Sequence, residues 1–172
     1  ANDAHYLRAL DHATSAGDLL QLVRIHTNRA SLHLEEGDVA ESLAEADLAL
    51  RLADLAGFAL LRAIALSNRA EALLALGRLD EAYAELEAAR QLYERLGSPM
   101  AAYAYQELGD IHRLRGDRAA ARSSYSRAIS LAETVDDVQG TVPALAGLAT
   151  LLAADEPGVA SKLVLRALDA GP

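Results

Sequence analysis

The chain has 172 residues, a net charge of −9 and no cysteine. These values exclude a disulfide framework, a thiolate metal site and the basic footprint that nucleic acid or an anionic membrane requires. Hydrophobic residues make up 52% but aromatic ones only 4%. The apolar content is therefore mostly Ala and Leu, which head the helix propensity scale, while strand-favouring residues are scarce. No apolar run reaches the roughly 18 residues that read as a membrane span. Ala1-Asn2-Asp3-Ala4-His5 lacks the pattern of a signal peptide. The expectation is an all-α, cytoplasmic protein.

In chain order, His5 to Gly17 aligns with residues 45–57, so the sequence opens inside the second helix of a hairpin. First helices are predicted at about 19–36, 59–76, 99–115 and 140–154, and second helices at about 39–56, 79–96, 118–135 and 158–169. Gly17, Gly37, Gly57, Gly77, Gly97 and Gly116 close most of them, as residues able to turn left-handed at a helix end. Asp38 and Asp117 are placed to cap the helices that follow them. Ser98-Pro99 has the chemistry of an N-cap and first turn. Pro157 and Pro172 fall in breaks. Connections this short force antiparallel hairpins. The expected organisation is one repeat domain over 1–172: a partial repeat at 1–17, then repeats at about 18–57, 58–97, 98–137 and 138–172. Both ends read as cut from a longer protein, because solenoids need polar caps that are missing here.

Residues 37–57 and 77–97 align without a gap at an offset of 40. A third copy, from Gly116 through Ala121, Tyr125 and Ala128 to Leu131, follows at an offset of 39. Thr27-Asn28-Arg29-Ala30 answers Ser67-Asn68-Arg69-Ala70, with Gln106-Glu107-Leu108-Gly109 in register. A weaker fourth copy carries Gly147, Ala160, Val164 and Ala167. Leu108-Gly109-x-x-His112, then Ala121-x-x-x-Tyr125-x-x-Ala128, resembles the tetratricopeptide pattern of Leu-Gly-x-x-Tyr, Ala-x-x-x-Phe and Ala. Ala82-x-x-x-Leu86-x-x-Ala89 repeats it. Trp is missing from the first helices, no Pro ends a second helix, and Ser42 and Ala46 weaken the first repeat. The period of 39–40 exceeds the usual spacing of about 34.

The resemblance implies a right-handed superhelix of tandem hairpins that acts by protein or peptide recognition. The long period is similar to the helical-repeat region of large LuxR-type, maltose-activator-like bacterial transcription regulators. It also resembles peptide-sensing regulators of Gram-positive bacteria and the partner-binding arrays of polarity proteins. The Asn-Arg-Ala, Gly-Arg-Leu-Asp-Glu-Ala and Leu-Gly-Asp-Ile-His-Arg-Leu-Arg-Gly-Asp phrases favour the first. That likeness implies a sensor of an inducer or partner, in transcription regulation and signal transduction. The alternatives are an assembly adaptor without signalling and a small-molecule-sensing repeat domain.

No catalytic constellation, cofactor motif or metal motif is present among the sequence patterns. His26 and His33, seven residues apart, would lie about 10 Å apart along a helix, too far to share one zinc ion alone. His33 and His112 occupy the repeat position usually held by Tyr, which reads as packing. Glu35-Glu36 and Asp136-Asp137 read as solvated turns, and Ser123-Ser124 has no nearby base. The informative surface is the concave face of the first helices. Arg24, Thr27, Asn28 and Ser31, then Ser67, Asn68 and Glu71, then Tyr103, Gln106, Glu107 and Asp110 are expected exposed there. The candidate binding residues are Arg24, Asn28, Ser31, Asn68, Glu71, Tyr103, Glu107 and Asp110. An amide such as Asn28 or Asn68 has the donor and acceptor needed to bracket an extended peptide backbone. The expected partner is a protein or peptide, with no nucleic acid or membrane, and with self-association through exposed repeat ends as a further expectation. The carboxylate clamp of chaperone-binding members needs groove Lys residues, and these first helices have none.

Overall fold

The computed structural model describes residues 2–170, with side chains from His5 onward. Among these there are nine helices and no strand. They are α1 (Asn2–Ala16), α2 (Leu19–Glu36), α3 (Val39–Ala56), α4 (Ala59–Ala75), α5 (Leu79–Arg95), α6 (Ala101–Leu114), α7 (Arg118–Glu133), α8 (Val138–Leu152) and α9 (Pro157–Ala170). A leading helix and four hairpins result, as the repeat predicts. Pro172 lies outside the described residues. No described helix is long and apolar enough to cross a membrane.

The helix ends follow from a few residues. All six predicted glycines are left-handed, with φ between 61° and 86°, a region that costs an L-residue energy and glycine little. The α7–α8 turn has no glycine at that point, and Asp136 takes the conformation instead at φ 52°. Asp is one of the few side chains that tolerates it. Asp117 caps α7 by accepting the Ala120 amide N–H at 3.0 Å. Asp38, predicted to do the same for α3, makes no such bond. Two caps the sequence reading omits are present: Asp18 accepts from Gln21 at 3.1 Å and Asp137 from Gly140 at 3.1 Å. Ser98 accepts from Met100 rather than from deeper in the helix, so residues 98–100 form a turn and α6 begins at Ala101.

Two compact units divide at Leu92 and Tyr93, inside α5. In the first, α1 packs on α2, α2 on α3, α3 on α4, and α4 lies beside α2. Its core includes Val23, Ala49, Ala53 and Ala65, margined by Leu50, Leu52, Phe58 and Leu61. In the second, α6 packs on α7, α7 on α8, α8 on α9, and α8 lies beside α6. Its core gathers Tyr125, Ile129, Leu145, Leu148, Leu151 and Leu152 around Ala121 and Ala128. Ala82, Ala89, Ala121 and Ala128 are all fully buried. Small residues at these positions allow close helix axes, and larger neighbours fill the grooves beside them.

Candidate functional site

On α2 and α4 of the first unit, the predicted binding residues separate into two kinds. Asn68 and Thr27, expected exposed, are buried, at 9% and 7% exposure. The Asn68 amide donates to the Thr27 carbonyl at 2.9 Å and to Ser31 Oγ at 3.2 Å. Thr27 Oγ1 donates to the Val23 carbonyl at 2.7 Å. The amide donors that could bracket a peptide are thus spent in joining α4 to α2. Its counterpart Asn28 points outward and stays exposed, as does Arg24 one turn earlier. Neither makes a side-chain hydrogen bond or ion pair among the described residues. Glu71 is half-buried and already engaged. Asn68 faces Thr27 and Ser31 of α2, the first helix beside its own, whereas Asn28 makes no such contact among the described residues.

Beneath this surface runs a polar network between first and second helices. Glu45 of α3 accepts from Arg29 Nε at 2.8 Å and meets His26 Nδ1 at 2.6 Å, with all three side chains less than a fifth exposed. One repeat later Arg69 pairs with Glu85 and, at 2.6 Å, with Asp47. The sequence signal for this network is the recurrence of Arg29 and Glu45 as Arg69 and Glu85 at the repeat offset of 40.

In the second unit, Asp110 of α6 accepts from the Tyr125 hydroxyl at 2.7 Å and from the Gln106 amide. Arg113 flanks both, its Nη2 3.5 Å from Asp110 and its Nε 3.4 Å from the Tyr125 oxygen. Burial pushes the Tyr125 phenol up to about 12, with the bond to Asp110 acting the same way. Tyr103 is half-buried, and its phenol is also raised, first by burial and then by the Asp137 carboxylate that its hydroxyl faces. Glu107 is half-buried and has partners of its own. Tyr103, Gln106, Glu107 and Asp110 therefore all show partial rather than full exposure. The structure brings Asp110 and Gln106 together around Tyr125, and brings Ser31 and Asn68 together around Thr27.

Two open grooves accompany these faces. One of about 400 Å³ is lined by Glu94, Ser98, Pro99, Arg127, Leu131 and Val135. Another of about 650 Å³ runs between α8 and α9, lined by Ala146, Ala149, Ala153, Ala160, Val164 and Leu165. The first brings the Ser98 and Thr134 hydroxyls into one lining with the Glu94 carboxylate, and the second is lined mainly by apolar side chains.

Residues 61–134 match the family model for the tetratricopeptide repeat. This stretch, rather less than half of the chain, carries the tetratricopeptide-repeat pattern. Solved structures carry the likeness over almost the whole chain. BtubC (BKLC) from P. vanneervenii is similar at a TM-score of 0.84 with 21% identity, over 98% of this chain and 71% of that one. The nearly identical tetratricopeptide-like repeats of a Podosopora anserina putative kinesin light chain are similar at 0.64 with 13% identity, over 97% and 92%. A point variant of those same repeats gives 0.67 with 13% identity, over 97% and 91%. At such identities the likeness establishes the fold and nothing finer. No curated protein matches by sequence.

Proposed function

We propose that this chain is a non-catalytic scaffold that binds a protein or peptide on the first helices of its hairpins. Tetratricopeptide repeats generally mediate protein–protein interaction. The observation that carries the reading here is the pair Arg24 and Asn28. They stand one turn apart on α2, exposed and unengaged, on a helix held to α4 by the Asn68–Thr27–Ser31 bonds. A rigid backbone that presents free donors loses little side-chain freedom on binding a partner's carbonyls or carboxylates. In this reading Arg24 and Asn28 contact the ligand, and Ser31 and Asn68 hold them in place. Tyr103, Glu107 and Asp110 give the second unit a partly exposed face of its own, and Glu71 adds an acidic edge to the first. The finer reading is the sensor region of a LuxR-type transcription regulator, and its support is the sequence phrasing quoted above.

Selection from a random phage-displayed peptide library provides the test, since it needs no known ligand. Peptides recovered on the wild-type chain are expected to lose about tenfold or more in affinity with Arg24→Ala or Asn28→Ala. That loss corresponds to about 1.4 kcal/mol. Arg51→Ala, on the exposed side of α3, is expected to leave affinity unchanged. The reverse pattern would transfer the function to the second helices and favour an assembly adaptor.

A further inference from the structure

The turn between α2 and α3 gathers three side chains that the sequence reading treats separately. His33 lies in the last turn of α2, Glu36 ends that helix, and Asp38 stands just before α3. The His33 Nδ1 atom is buried and has no hydrogen-bond partner among the described residues. It lies 4.0 Å from Glu36 Oε2 and 4.0 Å from Asp38 Oδ2. All three donor atoms fall within 4.8 Å of one another. A buried polar atom without a partner is uncommon and asks for a reason.

Asp38 supplies a second, separate observation. Asp18, Asp117 and Asp137 occupy the same position before their helices, and each accepts an amide N–H from that helix. Asp38 makes no cap bond. Its carboxylate therefore forgoes the cap bond while lying 4.0 Å from an imidazole nitrogen that has no hydrogen-bond partner among the described residues. The third repeat provides the contrast: His112 matches His33, and Asp117 caps α7, but Arg115 stands in the turn where Glu36 would be needed. Only the first of these two turns has a histidine with two carboxylates around it.

We propose that His33, Glu36 and Asp38 form a binding site for a divalent transition-metal ion of the zinc type. One imidazole and two carboxylates make a borderline donor set that suits zinc and its first-row neighbours better than calcium or magnesium. Zinc bonds to nitrogen and oxygen are about 2.0–2.2 Å, which in a tetrahedral site separates pairs of ligand atoms by roughly 3.3–3.6 Å. The two nitrogen–oxygen distances of 4.0 Å exceed that span, so the carboxylates must move in to close on an ion. The Glu36 and Asp38 side chains are more than half exposed, at 55% and 60%, so small rotations close the set. Nδ1 ligation leaves the His33 Nε2 carrying the proton, and water completes the coordination. The ion would tie the end of α2 to the start of α3 across Gly37, fixing the first hairpin from which Arg24 and Asn28 project. The site stands on this turn alone and does not depend on which ligand the scaffold takes.

The test is a zinc titration of the metal-stripped 172-residue chain by calorimetry, followed by NMR of the histidine ring nitrogens. One zinc ion per chain is expected, with the His33 Nδ1 resonance shifted on binding. Asp38→Asn and Glu36→Gln, which alter exposed groups and leave the fold intact, are each expected to weaken binding by about tenfold or more. Histidine ligation elsewhere would shift His5, His12, His26 or His112 instead. Zinc that binds without moving the His33 resonance, or binds equally in both variants, overturns the proposal. So does the absence of binding at millimolar zinc, which would leave the three groups as an ion pair.

Discussion

The two units reach the same hairpin geometry with different chemistry. In the first, the position that follows the repeat through Ala46 and Leu86 is filled by side chains of small or middling size, both fully buried. Their hairpins are bound across the helix pair by charge, through Arg29 and His26 on Glu45 and through Arg69 on Glu85. In the second unit the equivalent residue is Tyr125, also fully buried. The space for its ring is made by glycine on both sides. A Cβ at Gly109 would meet the ring at 2.7 Å, and one at Gly147 at 2.5 Å, both impossible without displacement. The Arg–Glu pair is gone as well, replaced by Leu108 and Ser124. The second unit thus sets one packed aromatic between two glycines where the first has an ionic tie.

If that is right, the second unit depends on one side chain more than the first does. Tyr125→Ala is expected to cost about 3–5 kcal/mol, the range for deleting a large buried aromatic. Leu86→Ala, at the matching site, is expected to cost about 2–5 kcal/mol and to fall below Tyr125→Ala. Urea unfolding of the two variants at constant m-value checks this directly. Equal costs would show that Tyr125 contributes no more than an ordinary core residue and that its flanking glycines are incidental.

A smaller effect probes the ionic tie of the first unit. Glu45→Gln removes the charge that Arg29 and His26 share while keeping the shape of the side chain. All three groups are largely buried, and the bonds involve charge, so a loss of about 1–2 kcal/mol is expected. The same unfolding measurement in high salt should leave that loss mostly in place, because buried pairs are weakly screened. A cost that disappears with salt would place the network at the surface and weaken the contrast between the units.

Much of this architecture is readable from sequence because it rests on local chemistry. The glycines announce where each helix ends, and the alanines at Ala82, Ala89, Ala121 and Ala128 announce where helices cross. What sequence does not assign is the partner of each polar side chain. Asn28 and Asn68 are identical in repeat register, yet one faces solvent and the other joins two helices. That choice depends on the neighbouring helix and not on the residue. Asp38 shows the same limit: its position specifies a cap, but a histidine five residues earlier lies within reach of its carboxylate. Asp136 is hidden for the opposite reason, since a left-handed turn without glycine carries no distinctive letter. The tyrosine between two glycines is legible in parts, as Gly109, Tyr125 and Gly147, but the closeness of the ring to both backbones needs the packed structure.

The alkaline limb of the stability curve gives the finest test of the comparison, because Tyr125 is also a titrating group. Its folded phenol is pushed up to about 12, whereas an unfolded tyrosine titrates near about 10. A phenol whose pKa is raised on folding must be protonated to fit, so its contribution is complete below about pH 10. Above that value the unfolded chain gives up its proton while the folded chain still holds it, and stability falls until the folded group also titrates. The window for the loss is therefore about pH 10 to 12. Tyr103 is raised in the same direction, so the wild-type decline contains both. Tyr125→Phe removes one of them: it keeps the ring between Gly109 and Gly147 and deletes the hydroxyl that donates to Asp110. At neutral pH the variant is expected to lose about 0.5–1.5 kcal/mol for the missing bond. Between about pH 10 and 12 the wild type should lose stability faster, so the gap between the two narrows as the pH rises. Thermal melts at about pH 8, 10 and 11 read this as converging midpoints. A gap that stays constant across the range would mean that the Tyr125 hydroxyl is no more protected in the folded state than in the unfolded one, and that the second unit is held by the ring alone.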